Sequence, residues 1–192
     1  NDLVAAAKRE NNKKRSYLLV NKLQGKHVPV SPCASLKMFS ELAEIVKKEY
    51  SGERLLLVGF AETATAIGSA LAAEIGSYYI QTTRENIGGV DYLYFSEQHS
   101  HASEQKLVKN DIDFIIGRID RIVFVEDEVT TGNTILNIIN IIEKSYPAKI
   151  GFSVASLING MDEAHAGGDT LGNAIIVMIA EDIRICSASL RP

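Results

Sequence analysis

Only two cysteines occur among the 192 residues, Cys33 and Cys186, and they stand far apart without the spacing of metal ligands. Neither a disulfide framework nor a cysteine-built zinc site is indicated, and a reducing, cytoplasmic compartment fits. No uninterrupted apolar run is long enough to cross a bilayer and the N-terminus has no signal-like pattern, so no membrane partner is expected. Positive charge is in deficit as well. The 20 Lys and Arg against 24 Asp and Glu leave a net charge of −4, which speaks against nucleic acid, because backbone binding relies on clustered cations. The one basic cluster, residues 8–15 (KRENNKKR), is diluted by Glu10 and two asparagines and reads as the solvated face of an N-terminal helix. There is no internal repeat and no low-complexity tract. What remains is a chain of 46% hydrophobic content, enough for one full core, and a single domain over residues 1–192 is expected. It begins at Asn1 without an initiator Met, which leaves room for the domain to have been cut from a longer protein.

The chain is organised around residues 121–134 (RIVFVEDEVTTGNT). Ile122, Val123, Phe124 and Val125 form a short apolar run of the kind that makes a strand buried on both faces. It ends in two acids, Glu126 and Asp127, and a turn of small hydroxyl residues and glycine leads into the helical pattern TILNIINIIEKSY, closed by Pro147. In an open α/β sheet, ligands bind outside the carboxyl ends of the strands, which is where this turn falls. A helix N-terminus with hydroxyls and a glycine offers N–H groups and a favourable dipole to a phosphate. The carboxylates would repel a phosphate, but they suit a pair of vicinal hydroxyls or a hydrated divalent cation. A ligand with a diol at one end and a phosphate one sugar-length away, such as ribose 5-phosphate, satisfies both halves. The bland alternative is a turn whose Thr130 or Thr131 caps the helix while the acids face water.

The run VFVEDEVTTGNT resembles the phosphoribosyl-pyrophosphate signature of type I phosphoribosyltransferases: a hydrophobic strand, two acids, two spacers, then Thr-Thr-Gly-x-Thr. The resemblance implies that Glu126 and Asp127 hold the ribose 2′ and 3′ hydroxyls, with Mg2+ nearby, directly or through water. It also implies that Thr130, Thr131, Gly132, Asn133 and Thr134 wrap the 5′-phosphate. Together with NKLQGKHVPVSP, GFAETATAIG and EQHSHAS, the chain resembles a branch of this family predicted from bacterial stress and tellurite-resistance gene neighbourhoods. The fold implied is an α/β domain with a central, mainly parallel sheet flanked by helices, under a small hood drawn from residues 17–33 and C-terminal pieces.

Along the rest of the chain, residues 1–16 read as a helix or a loosely held arm, and residues 17–20 as a strand. The following stretch carries two prolines and is extended or turning. Its Lys22, Gln24, Lys26 and His27 are either the polar decoration of a surface hairpin or, if this is the hood, contacts to the acceptor, with Lys26 and His27 the favoured pair. Residues 34–50 place Leu36, Phe39, Leu42, Ala43 and Val46 on one helical face. Residues 54–58 are a buried strand that runs into Gly59 and an alanine-rich helix ending at Gly76. In the resembling family the loop after this strand binds the pyrophosphate through its amides, which points to Ala61, Glu62 and Thr63, although a plain helix start competes and Glu62 is out of place near phosphate. A strand over 78–82 leads to Arg84, the candidate cation for the pyrophosphate.

Residues 86–103 contain a Gly-Gly pair and a run over 92–95 that reads as one arm of a hairpin. The family has a mobile loop here that closes over the donor and excludes water. Its Glu97, His99, His101 and Glu104 form a polar cluster, and His99 or His101 is a candidate to supply charge or a proton. The segment SEQKLVKND reads as a short polar helix, 149–158 as the strand completing a βαβ unit, and 174–180 as a last strand. His165 reads as a solvent-exposed loop residue and Asp182 as a neighbour of the acceptor pocket.

The resemblance implies an Mg2+-dependent transfer from phosphoribosyl pyrophosphate to a nitrogen nucleophile in a homodimeric enzyme. Hypoxanthine and guanine enzymes carry an Asp where this chain has Thr130, so the pattern is closer to the orotate or adenine enzymes, whose acceptor-recognition segments are not evident. The alternative, from another class, is a regulatory domain that binds the donor without transferring it. A third is a purely structural interaction domain in which the motif is an accident.

Overall fold

The computed structural model describes residues 3–8, 17–26, 28–95, 105–147, 149–161, 170–171 and 174–178. The chain opens with an antiparallel ribbon of β1 (Val4–Lys8) and β2 (Tyr17–Asn21). Over residues 4–8 the expected helix or arm is therefore corrected to a strand, and residues 9–16 lie outside the described residues. VAAAK has good intrinsic helix propensity, but ladder pairing outweighs so weak a local preference. Helix α1 (Pro32–Glu49) starts on a proline, whose missing N–H has no helical partner to lose. It buries Met38, Phe39, Leu42, Ala43 and Val46, whereas Leu36, expected on that face, is 55% exposed. Then come β3 (Leu55–Gly59), α2 (Thr65–Ile75) ended by Gly76 at φ 77°, and β4 (Tyr78–Gln81).

The arm read over 92–95 is half of a hairpin, β5 (Tyr92–Phe95) against β6 (Gln105–Val108), with Phe95 opposite Gln105. Here the expected polar helix is corrected: the segment pairs as a strand, and the helix, α3 (Lys109–Ile115), begins only after it. A 3-10 turn over Ile116–Arg118 leads into β7 (Arg121–Val129), followed by α4 (Asn133–Ser145), β8 (Gly151–Asn159), β9 (Thr170–Leu171) and β10 (Ala174–Met178).

The six strands of the central sheet run in the order β4-β3-β7-β8-β10-β9. Five are parallel, and β9 alone runs antiparallel, against β10. The chain moves from β3 outward to β4, then returns across β3 to lay down β7 and β8. The order of strands therefore reverses between β3 and β7. Such a reversal opens a crevice at the carboxyl edge, because the two following loops part to opposite sides. The crevice is rigidly walled. All five residues of β3 and Ile122, Val123, Phe124 and Val125 of β7 are buried. Phe124 stacks on Phe152 of β8 at 6.3 Å and meets Phe60, just past β3, at 6.0 Å. Phe60 in turn meets Phe95 of the hairpin edge-on at 5.8 Å. Each such pair contributes about 1 kcal/mol beyond its buried area.

Helix α2 also lies unusually close to β3. A Cβ on Gly68 would come within 2.8 Å of the Tyr79 ring and 3.2 Å of the Gly59 backbone, so only glycine permits this approach. The Tyr79 hydroxyl donates to Thr65 O at 2.9 Å and ties the helix start to β4.

Candidate active site

Strand β7 is longer than its apolar run, because pairing with β8 carries it through both acids to Val129 opposite Asn159. Successive strand residues face opposite sides, so Glu126 and Asp127 diverge from a common edge. Glu126 turns toward the bend before α4. It lines, with Glu128 and residues 129–135, a small open pocket. Gly132 makes the bend at φ 68°, a left-handed conformation that suits glycine, and its carbonyl accepts the first helical hydrogen bond from Leu136 N–H at 3.0 Å. The Asn133 N–H reaches back to Thr131 Oγ1 at 3.4 Å. The five residues of the expected phosphate loop, 130–134, thus all line one polar concavity at a helix N-terminus.

Asp127 faces the loop after β3. Thr63 Oγ1 donates to its Oδ1 at 2.7 Å, and Lys26 Nζ donates to its Oδ2 at 2.9 Å. Gln24 supports the same corner by donating to Thr63 O at 3.2 Å. The two neighbouring carboxyls are consequently held in opposite states. Burial, together with the Asp127 charge, pushes Glu126 up to about 8. Burial would also raise Asp127, but hydrogen bonds from Lys26 and Thr63 and the Lys26 charge outweigh it and hold that carboxyl below its ordinary 3.8. One side of the strand end therefore presents a carboxyl that favours its proton, the other an ionised carboxylate already paired.

In the loop after β3 the Ala61–Glu62 peptide is cis. Ala61 N–H donates to Thr82 Oγ1 at 2.7 Å and its carbonyl accepts from Gln105 Nε2 at 3.2 Å, so neither polar group of Ala61 faces a ligand. The Glu62 side chain is exposed, and the Glu62 carbonyl accepts from Thr65 Oγ1 at 2.6 Å. Arg84 is exposed and follows β4 at the same carboxyl edge of the sheet. His27, His99, His101, Glu97, Glu104, His165 and Asp182 lie outside the described residues.

Three further residues went unmarked by any sequence pattern. Thr82 is fully buried, Gln105 is half-buried, and Lys106 is 5% exposed with Nζ over the Tyr92 ring at 4.7 Å and a hydrogen bond to Asn86 Oδ1. All lie in segments too short for periodicity to place, and no motif marks them. Among the described residues no three His, Cys, Asp or Glu side chains converge as metal ligands. The adjacent pair Glu126 and Asp127 still fits Mg2+, which is commonly held by one or two carboxylates together with substrate oxygens.

Solved structures with the same fold are type I phosphoribosyltransferases. Adenine phosphoribosyltransferase from Giardia lamblia, complexed with 9-deazaadenine, aligns with a TM-score of 0.64 at 16% identity over 94% of this chain and 96% of that one. The Saccharomyces cerevisiae adenine enzyme, complexed with an imino-altritol bisphosphate and adenine, aligns at 0.63 and 12% identity over 92% and 93%. Orotate phosphoribosyltransferase from Aeropyrum pernix aligns at 0.54 and 14% identity over 92% and 86%. The family model described as phosphoribosyl transferase matches residues 3–181, and the chain belongs to that family. No curated protein sequence matches it. No described helix is long and apolar enough to cross a membrane.

Proposed function

We propose that the protein transfers ribose 5-phosphate from phosphoribosyl pyrophosphate to a nitrogen nucleophile, a base or base-like metabolite, and releases pyrophosphate. One observation carries the reading: two carboxyls at the end of β7 directly precede an open, hydroxyl-lined pocket at the start of α4, and one of them touches the loop after β3. The pocket fits a terminal phosphate, the carboxyls fit a sugar diol, and the β3 loop fits the diphosphate on the other side of that sugar.

In the reaction the nucleophile's lone pair forms the new bond at C1 while the C1–O bond to pyrophosphate breaks, its electrons leaving with the pyrophosphate oxygen. Residues 130–134 hold the 5′-phosphate, and Glu126 and Asp127 accept from the 2′ and 3′ hydroxyls. On Asp127 the diol would share the carboxylate with Lys26, which donates to Oδ2, and Thr63, which donates to Oδ1, since each oxygen can accept a second hydrogen bond. The amides after Ala61 and the exposed Arg84 face the diphosphate. His99 or His101, in the connection between β5 and β6, is the proposed proton carrier, and Lys26 and His27 are the proposed acceptor contacts. Glu126 and Asp127 are the residues that would hold Mg2+, which supplies neutralising charge to the leaving group when bound. The chain's own part is chiefly positioning and electrostatics.

The resemblance of its variable segments to enzymes from stress and tellurite-resistance neighbourhoods supports a role in bacterial stress metabolism, as a cytoplasmic homodimer acting on small molecules. The Lys26–Asp127 pair favours one second reading, a domain that binds the donor and senses it without transfer. Pyrophosphate release measured across a panel of bases separates the two. Turnover with at least one base supports the enzyme, whereas saturable donor binding with no turnover for any base supports the sensor.

A further inference from the structure

Between the β5–β6 hairpin and the loop after β3 runs a closed ring of three hydrogen bonds. Ala61 N–H donates to Thr82 Oγ1 at 2.7 Å, the Thr82 hydroxyl donates to Gln105 Oε1 at 3.0 Å, and Gln105 Nε2 donates to Ala61 O at 3.2 Å. Every member uses both its donor and its acceptor inside the ring. Thr82 is itself anchored, because its backbone N–H donates to Gly59 O at 3.0 Å and its side chain is fully buried. Gln105 arrives from 44 residues away, at the first position of β6. Two backbone hydrogen bonds between Thr83 and Lys106, 2.8 and 3.0 Å, fix that strand to the chain after β4. On the other hairpin strand, Phe95 abuts Phe60, the residue before Ala61.

We infer that Gln105 and Thr82 are positioning residues that set the β3 loop for the diphosphate end of the donor and couple it to the hairpin stem. The inference rests on the proposed reading of the site. The ring consumes both polar groups of Ala61, and the next two amides, Glu62 and Thr63, make no hydrogen bond within the described residues. Those two are the amides left for a diphosphate, and their direction follows from how Ala61 is held. A preformed loop spares the ligand the cost of ordering it.

A merely structural role, satisfying buried polar groups, would lower stability without ligand preference. Calorimetric titration of the full chain with pyrophosphate and, separately, with ribose 5-phosphate, both in Mg2+ buffer, distinguishes the two roles. Gln105→Leu and Thr82→Val are expected to lose about tenfold in pyrophosphate affinity while ribose 5-phosphate affinity stays within about twofold. Thr82→Ser, which keeps the hydroxyl, is expected to regain most of the loss. Unchanged pyrophosphate affinity in Gln105→Leu, or a parallel loss for both ligands, overturns the inference. If Thr82→Val fails to fold, the half-buried Gln105→Leu gives the answer alone. A wild-type protein that binds neither ligand overturns the reading of the site, and the inference falls with it; a wild type that binds both leaves the variants to decide.

Discussion

Replacing Glu126 by Gln should make the protein more stable, and increasingly so as pH rises. The folded protein holds this carboxyl at about 8, chiefly by burial and then by the Asp127 charge, against 4.5 for a free glutamate. A raised acid means that folding favours the protonated form. Stability is therefore fully present below about pH 4.5 and is lost as pH climbs toward 8, because over that window the unfolded chain gives up a proton that the folded one keeps. At about 1.4 kcal/mol for each pH unit, the gap sets a ceiling of about 5 kcal/mol. Glu126 lines an open pocket whose water screens the charge, so about 2 kcal/mol at pH 8 is the realistic size. Gln has the shape of the protonated acid and cannot ionise. Urea unfolding of both proteins at pH 5, 6, 7 and 8 should give near-equal stabilities at pH 5 and a widening advantage for Glu126→Gln above it. A constant difference across the series would refute the placement of this carboxyl.

Lys26→Ala should destabilise by about 1 kcal/mol at pH 6, since the pair it removes is partly shielded, with side chains 34% and 16% exposed. Asp127 is held below 3.8, so its contribution is present above that pH and disappears as pH falls through the depressed value. The difference between the two proteins in acid unfolding should accordingly shrink once pH falls below 3.8 and disappear beneath the depressed value. Gly68→Ala should lower Tm and cost about 1–2 kcal/mol in chemical unfolding, because the new methyl meets the Gly59 backbone at 3.2 Å. Helix propensity alone predicts a gain of about 1 kcal/mol, so the sign decides which effect governs. Gly132→Ala should cost about 1 kcal/mol at φ 68° and weaken ribose 5-phosphate binding in titration, since it distorts the bend the phosphate needs.

The parallel sheet and the bend before α4 were legible because their signals are local. Residues 55–59 and 122–125 are too apolar to face water, and TTGNT before an amphipathic run can hardly be anything but a turn into a helix. The N-terminal strand was not legible, since VAAAK acquires its conformation from β2, which lies 9 or more residues further along. Nor was β6, where Lys106 and Leu107 are both buried although only one of them is apolar. The site shows the same division. Glu126, Asp127 and residues 130–134 are consecutive or nearly so, and a motif can describe them. The Lys26–Asp127 pair joins residues 101 apart, and the ring of Ala61, Thr82 and Gln105 joins three elements. Contacts of that kind are products of topology, and no local pattern announces them. Leu36 is exposed while its neighbour Ser35 is buried, a shift of one residue at the edge of the helix stripe, which periodicity places no more finely than that.

The central claim is that the end of β7 and the start of α4 together receive a phosphorylated ribose. Calorimetric titration of phosphoribosyl pyrophosphate into the protein with Mg2+ tests it most directly, alongside the Asp127→Asn variant. The account predicts saturable binding by the wild type, competed by ribose 5-phosphate, and an affinity about tenfold lower in the variant. No heat at millimolar ligand, or equal affinity in the two proteins, would contradict it.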